Sequence, residues 1–237
     1  EKHLDESVLR ILKLKRDLGL FDDPMRGMSA EREKNECLTA ENRALAREAA
    51  EKSSVLIKND GALPLKTGKI ALIGPFADNG NIMGTWRCYG DAADTITVKN
   101  AMESAGMAFG YACGCAKEIF ADDRSGFEEA IALARRSQSV VMCVGEDQDY
   151  SGESKSRADI TVPALQVELI KEINKVNDNV ILVIFTGRPL VLTDILPLCK
   201  AAAVVWQPGT EGGSAIVNLL TGKSNFSGRL AMTFPRH

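Results

Sequence analysis

The sequence predicts an α/β fold, a three-layer αβα sandwich around a mostly parallel sheet, and two observations carry that reading. Continuous apolar runs recur at VVMCV (140–144), VILVIF (180–185) and AAAVVW (201–206), the composition of strands covered on both faces. Segments with apolar residues at helical intervals alternate with these runs, so the chain reads strand, helix, strand, helix.

Taken in order, residues 4–18 (LDESVLRILKLKRDL) form an amphipathic helix stopped by Gly19. Residues 20–38 are polar, carry Pro24 and Gly27 and show no sustained period, so they read as a linker. A helix at 39–52 precedes a strand at 54–58, turn chemistry at 59–65 (NDGALPL) and a buried strand at 69–74. The loop FADNGNIMGTWRCYGD (76–91) follows, then a helix at 97–105 and a strand at 107–112. An amphipathic helix at 127–137 feeds the strand at Val140, and Leu165, Val167, Leu169, Ile170 and Ile173 mark the next helix, with Pro163 suited to its first turn. A helix at 212–220 and a closing strand at 229–234 (RLAMTF) complete the expected fold, one sheet over 54–235 with helices on both faces.

Composition narrows the function. The 237 residues are 45% hydrophobic with net charge −3, and the 29 Lys and Arg are dispersed, so no nucleic-acid partner is expected. No apolar run reaches the roughly 18 residues of a membrane span, so no membrane partner is expected either. The only histidines are His3 and His237, which leaves no internal imidazole base for a Ser or Cys nucleophile. Of the six cysteines, Cys113, Cys143 and Cys199 sit in apolar runs and read as core. Cys113 and Cys115 lack a second pair or a nearby histidine, so no metal is expected. The cysteines point to a reducing compartment, and a cytoplasmic location is expected. The glycine loops GPFADNG (74–80) and GTEGGS (209–214) match neither dinucleotide nor phosphate-loop spacing, so no cofactor is expected.

The informative stretch lies between the strand at 140–144 and the helix after Pro163. It carries Glu146, Asp147, Asp149, Glu153, Lys155, Arg157 and Asp159 and exceeds the usual length of a βα connection. In open α/β sheets ligands meet the carboxyl ends of strands, where this loop sits. Glu153 is the most suggestive residue, because small Ser151, Gly152 and Ser154 let its carboxyl project into a cleft; Glu146, beside the strand end, is the competitor. A solvated acidic turn whose charges pair with Lys155 and Arg157 is the plainer reading. Trp86, in a Gly-rich loop at a strand end, offers either a flat face for a sugar ring or a cover for the core edge.

Eight pieces, LGLFDDP (18–24), KNDGALPL (58–65), IALIGPFAD (70–78), MGTW (83–86), VGEDQDYSGESKSRADITVP (144–163), TGRPL (186–190), PGTEGG (208–213) and SGRLAMTFP (227–235), together resemble glycoside hydrolase family 3 of the β-glucosidase type. In that family a (β/α)₈ barrel supplies a nucleophilic aspartate, and a following α/β sandwich contributes the general acid/base from a loop. The resemblance implies that residues 1–20 are the last helix of a missing barrel, 21–39 an interdomain linker and 40–237 the sandwich domain. It implies Glu153 as the catalytic acid/base, Trp86 as a substrate-binding aromatic, and Arg188 and Glu211 as structural. The partners implied are a β-linked oligosaccharide or glycoside and the barrel of the same chain. The expected function is then one domain of a retaining exo-acting β-glucosidase or β-xylosidase, inactive as an isolated fragment. The alternative is a non-catalytic α/β module that binds sugar or a partner domain.

Overall fold

A computed structural model describes all residues, Glu1–His237, as two compact units, Glu1–Asn42 and Arg43–His237. The first contains α1 (Lys2–Asp17) and α2 (Ala30–Glu36). Helix α1 matches the expected segment. Helix α2 lies inside the stretch read as linker, where Ser29 caps it by accepting from the Arg32 amide at 3.1 Å. The seven residues AEREKNE, about two turns, have no apolar stripe to reveal them, so the cap is the only local signal.

Helix α3 (Ala40–Ser53) leads into the second unit. There six strands form one sheet: β1 (Val55–Asn59), β2 (Ile70–Ile73), β3 (Phe109–Ala112), β4 (Ser139–Gly145), β5 (Val180–Phe185) and β6 (Ala201–Trp206). The order is β1-β6-β5-β4-β2-β3, parallel except for β1, which runs antiparallel to β6. Helices α4 (Val98–Ser104), α5 (Phe127–Arg135), α6 (Ala164–Asn174) and α7 (Gly212–Thr221) cover it. The predicted α/β class is therefore the observed one.

Strand pleat divides the core in two. Val140, Met142 and Val144 of β4, with Val180, Leu182 and Ile184 of β5, pack with α5 and α6 through Ala130, Leu133, Leu169 and Ile170. Their neighbours Val141, Cys143, Ile181, Val183 and Phe185 pack with α4 and α7 through Val98, Met102, Ile216 and Leu220. Because successive side chains point to opposite faces, only strands apolar at every position satisfy both layers. That is why the runs at 140, 180 and 201 were so legible.

Two expectations change. Residues 229–234 form no strand: β1 occupies the edge beside β6, and the terminal segment packs by side chain without pairing, Phe234 reaching the core cluster that also takes Ile57. Phe234 packs edge-on against Trp206, and Gly228 lies so close to the backbone of Ser53 and Ser54 that a Cβ would come within 2.5 Å of the Ser54 carbonyl. Cys113 is exposed rather than core, while its neighbour Cys115 is buried. All six cysteines are unpaired, and burial pushes the Cys115 thiol up to about 12 and the Cys199 thiol up to about 11.

Leu182, fully buried at the sheet centre, sets a test of this core. Leu182→Ala should lower the unfolding free energy by about 2–5 kcal/mol in a urea titration. Leu45→Ala, on the exposed face of α3, should stay within about 0.5 kcal/mol of the parent.

Candidate active site

The chain leaves β4 through a turn that only glycine can make. Gly145 has φ +134°, and a Cβ there would lie 1.9 Å from the Phe185 carbonyl. Gln166, fully buried on α6, receives the Gly145 amide at 2.7 Å and donates to its carbonyl at 3.0 Å. The Glu146 amide then donates to Phe185 at 2.8 Å. The root of the loop is thus tied to β5 and to α6.

Beyond that root, Glu146 turns inward. Its side chain has no exposed surface, and both carboxylate oxygens accept from guanidiniums: Oε1 from Arg157, and Oε2 from Arg188 Nε at 3.0 Å. Arg188 also donates through Nη2 to the Lys155 carbonyl at 3.0 Å. The next residue, Asp147, is buried as well. Its Oδ1 accepts the Asp149 amide at 2.9 Å, and its Oδ2 pairs with Lys117 on the loop after β3. Burial alone would lower the Lys117 pKa, but the hydrogen bond and charge of Asp147, with Glu118 and Asp149, outweigh it and hold the ammonium above the usual lysine value.

A second set of bonds joins this loop to the loop after β2. The buried Gln148 side chain accepts the Gly84 amide at 3.0 Å, and the Thr85 hydroxyl lies between the carbonyls of Gln148 and Ser151. Ser151 is buried, and its hydroxyl accepts from Gln207 Nε2 at 3.1 Å. Gly152, φ +120°, packs on Thr85, where a Cβ would meet Thr85 Cγ2 at 2.9 Å.

Glu153 and Trp86 therefore stand on neighbouring loops fastened together by Gly84, Thr85 and Gln148. Glu153 is exposed and has no hydrogen bond or ion pair within the chain; Trp86 is 68% exposed. The competing carboxylate, Glu146, has both oxygens occupied and no surface to offer a ligand. The plainer reading of a solvated turn paired with Lys155 and Arg157 fits neither glutamate: Glu146 pairs with Arg157 but is buried, and Glu153 is solvated but unpaired. Arg188 holds the end of β5 to this loop. Glu211, at the start of α7, accepts from Arg43 at 2.8 Å and from the Ser214 hydroxyl at 3.0 Å. No three His, Cys, Asp or Glu side chains gather as a metal site. Lys117, Gln148, Gln166 and Gln207 escaped the sequence reading. The available signal was a glutamine inside the otherwise apolar inner face of α6, where burial demands partners.

The two glutamates should respond oppositely to truncation. Glu146→Ala strands two mostly buried guanidiniums and should destabilise the fold by about 3–5 kcal/mol. Glu153→Ala removes only solvated atoms and should shift stability by no more than about 0.5 kcal/mol. Chemical denaturation of both variants measures the difference.

The profile of the glycosyl hydrolase family 3 C-terminal domain matches residues 54–237. A periplasmic β-glucosidase of Salmonella typhimurium is 35% identical over 260 residues, covering 98% of this chain and 34% of that protein. A β-xylosidase of Formosa agariphila is 35% identical over 247 residues, covering 99% of this chain and 34% of its own. The crystal structure of a β-glucosidase from Listeria innocua in complex with isofagomine superposes with TM-score 0.91 at 36% identity, covering 100% of this chain and 33% of that one. The chain therefore spans about a third of the length of these relatives. With the profile matching the whole sheet and its covering helices, the chain belongs to glycosyl hydrolase family 3, as its C-terminal domain.

Proposed function

We propose that this domain supplies the proton donor of a retaining exo-acting β-glycosidase, a β-glucosidase or β-xylosidase, that removes terminal β-linked sugars. The observation that carries the reading is the contrast within one loop. Glu146 is consumed in a buried pair, whereas Glu153 is free, exposed and fastened on both sides at the carboxyl end of the sheet. Retaining hydrolysis needs two carboxyl groups about 5–5.5 Å apart, one attacking the anomeric carbon and one protonating the departing oxygen. Glu153 takes the second role, then removes the proton from the water that releases the sugar. Trp86 stacks on the ring next to the scissile bond.

The nucleophile comes from outside these residues, from a barrel domain of the same protein, of which residues 1–20 form the last helix and 21–39 the linker. That surface closes over the loop and places the Glu153 carboxyl within proton-transfer reach of the departing oxygen. The unpaired cysteines favour a reducing, cytoplasmic setting, no helix is long and apolar enough to cross a membrane, and one relative carries a periplasmic name.

In the full-length protein, Glu153→Gln should slow cleavage of substrates with poor leaving groups by about 10²- to 10⁴-fold. Activated aryl glycosides should lose little in their first step, the glycosyl-enzyme should accumulate, and azide should restore turnover by attacking it without a base. A Glu153→Gln enzyme with wild-type dependence on the leaving group refutes the assignment. A protein that binds β-linked sugar but turns over no substrate supports a non-catalytic module instead.

A further inference from the structure

Glu153 sits on a short excursion between two fastened points. Before it, Ser151 is held through its carbonyl by Thr85 and through its hydroxyl by Gln207. After it, the Lys155 carbonyl is held by Arg188. Only Gly152, Glu153 and Ser154 lie between, closed by a bond from the Lys155 amide to the Gly152 carbonyl at 3.2 Å. Gly152 and Ser154 both have positive φ, +120° and +61°, so the segment folds back on itself and a shift at Lys155 passes directly to Glu153. Arg188 is 17% exposed along its side chain, and its guanidinium is oriented by Glu146 through Nε while Nη2 reaches Lys155.

We propose that Arg188 is a positioning residue for proton transfer: held by Glu146, it fixes Lys155 and thereby the place of the Glu153 carboxyl. The inference rests on Glu153 being the proton donor. Lysine cannot replace it, because a single ammonium lacks the fork that spans a carboxylate and a carbonyl in two directions. Proton transfer requires a heavy-atom approach of about 2.6–3.2 Å, and a displacement near 1 Å costs up to about 10²-fold.

The test uses the full-length enzyme and a series of β-glycosides from alkyl to dinitrophenyl leaving groups, with kcat and KM measured separately. Arg188→Gln and Arg188→Lys should lower kcat/KM for alkyl glycosides by about 10- to 100-fold and for dinitrophenyl glycosides by only about 2- to 3-fold. A role confined to stability would lower both substrates alike, and that result overturns the inference. Should the single variants fail to fold, the paired variant Glu146→Gln/Arg188→Gln removes one charge of each sign and must show the same steepening. Glu153→Gln serves as reference. If it steepens the dependence and the Arg188 variants do not, the positioning role is wrong and the donor assignment stands. If Glu153→Gln itself leaves the dependence flat, the donor assignment falls and takes this inference with it.

Discussion

Burying the Glu146 carboxylate costs several kcal/mol of lost hydration unless both oxygens are met, and Arg157 and Arg188 meet them from the two ends of the same loop system. Such a pair adds little net stability over an apolar substitute, since desolvation offsets most of the attraction. What it supplies is position. Arg157 lies eleven residues along the loop and Arg188 follows β5, so one carboxylate fixes the distance between the returning loop and the strand end. The remaining tethers, through Asp147, Gln148 and Ser151, extend the same frame toward the loops after β3, β2 and β6.

The sheet makes that frame possible. Five parallel neighbours, β2 to β6, deliver their loops to one end of the sheet, and the two helical layers hold the strands at fixed spacing. Gly145 lets the chain leave β4 at a point where the Phe185 carbonyl would exclude any side chain. Gln166 then meets both polar groups of that glycine, which the end of the ladder would leave unpaired. Rigid anchoring around a freely exposed glutamate is the combination that chemistry at a loop requires.

Much of the architecture was legible because its cause is local. Runs such as VILVIF have no polar position to place on a solvent face, so a strand buried on both sides follows from composition. The closing RLAMTF failed for the opposite reason. Its alternation suits an edge strand, yet whether it pairs depends on β1 having taken that edge, a contact across more than 140 residues. Cys113 misled in the same way, since an apolar neighbourhood in sequence did not put it inside. At the site, loop position and small neighbours put Glu153 ahead of Glu146 and singled out Trp86, but the burial that separates the two glutamates was not legible. Their difference lies in Arg188, which only the fold brings to Glu146. Gln148, Gln166 and Gln207 act through backbone groups, and such partners leave no pattern in sequence.

The central claim is that, of the two glutamates flanking this strand end, the exposed one faces the sugar and the buried one holds the loop. A crystal structure of the full-length protein with a glycosyl-enzyme trapped by a slow fluorinated aryl glycoside tests it most directly. The account predicts the Glu153 carboxyl about 5–5.5 Å from the carboxylate bound to the sugar, with Glu146 still between Arg157 and Arg188. A trapped complex in which Glu146 has left its arginines to face the anomeric carbon, while Glu153 remains in solvent, would contradict it.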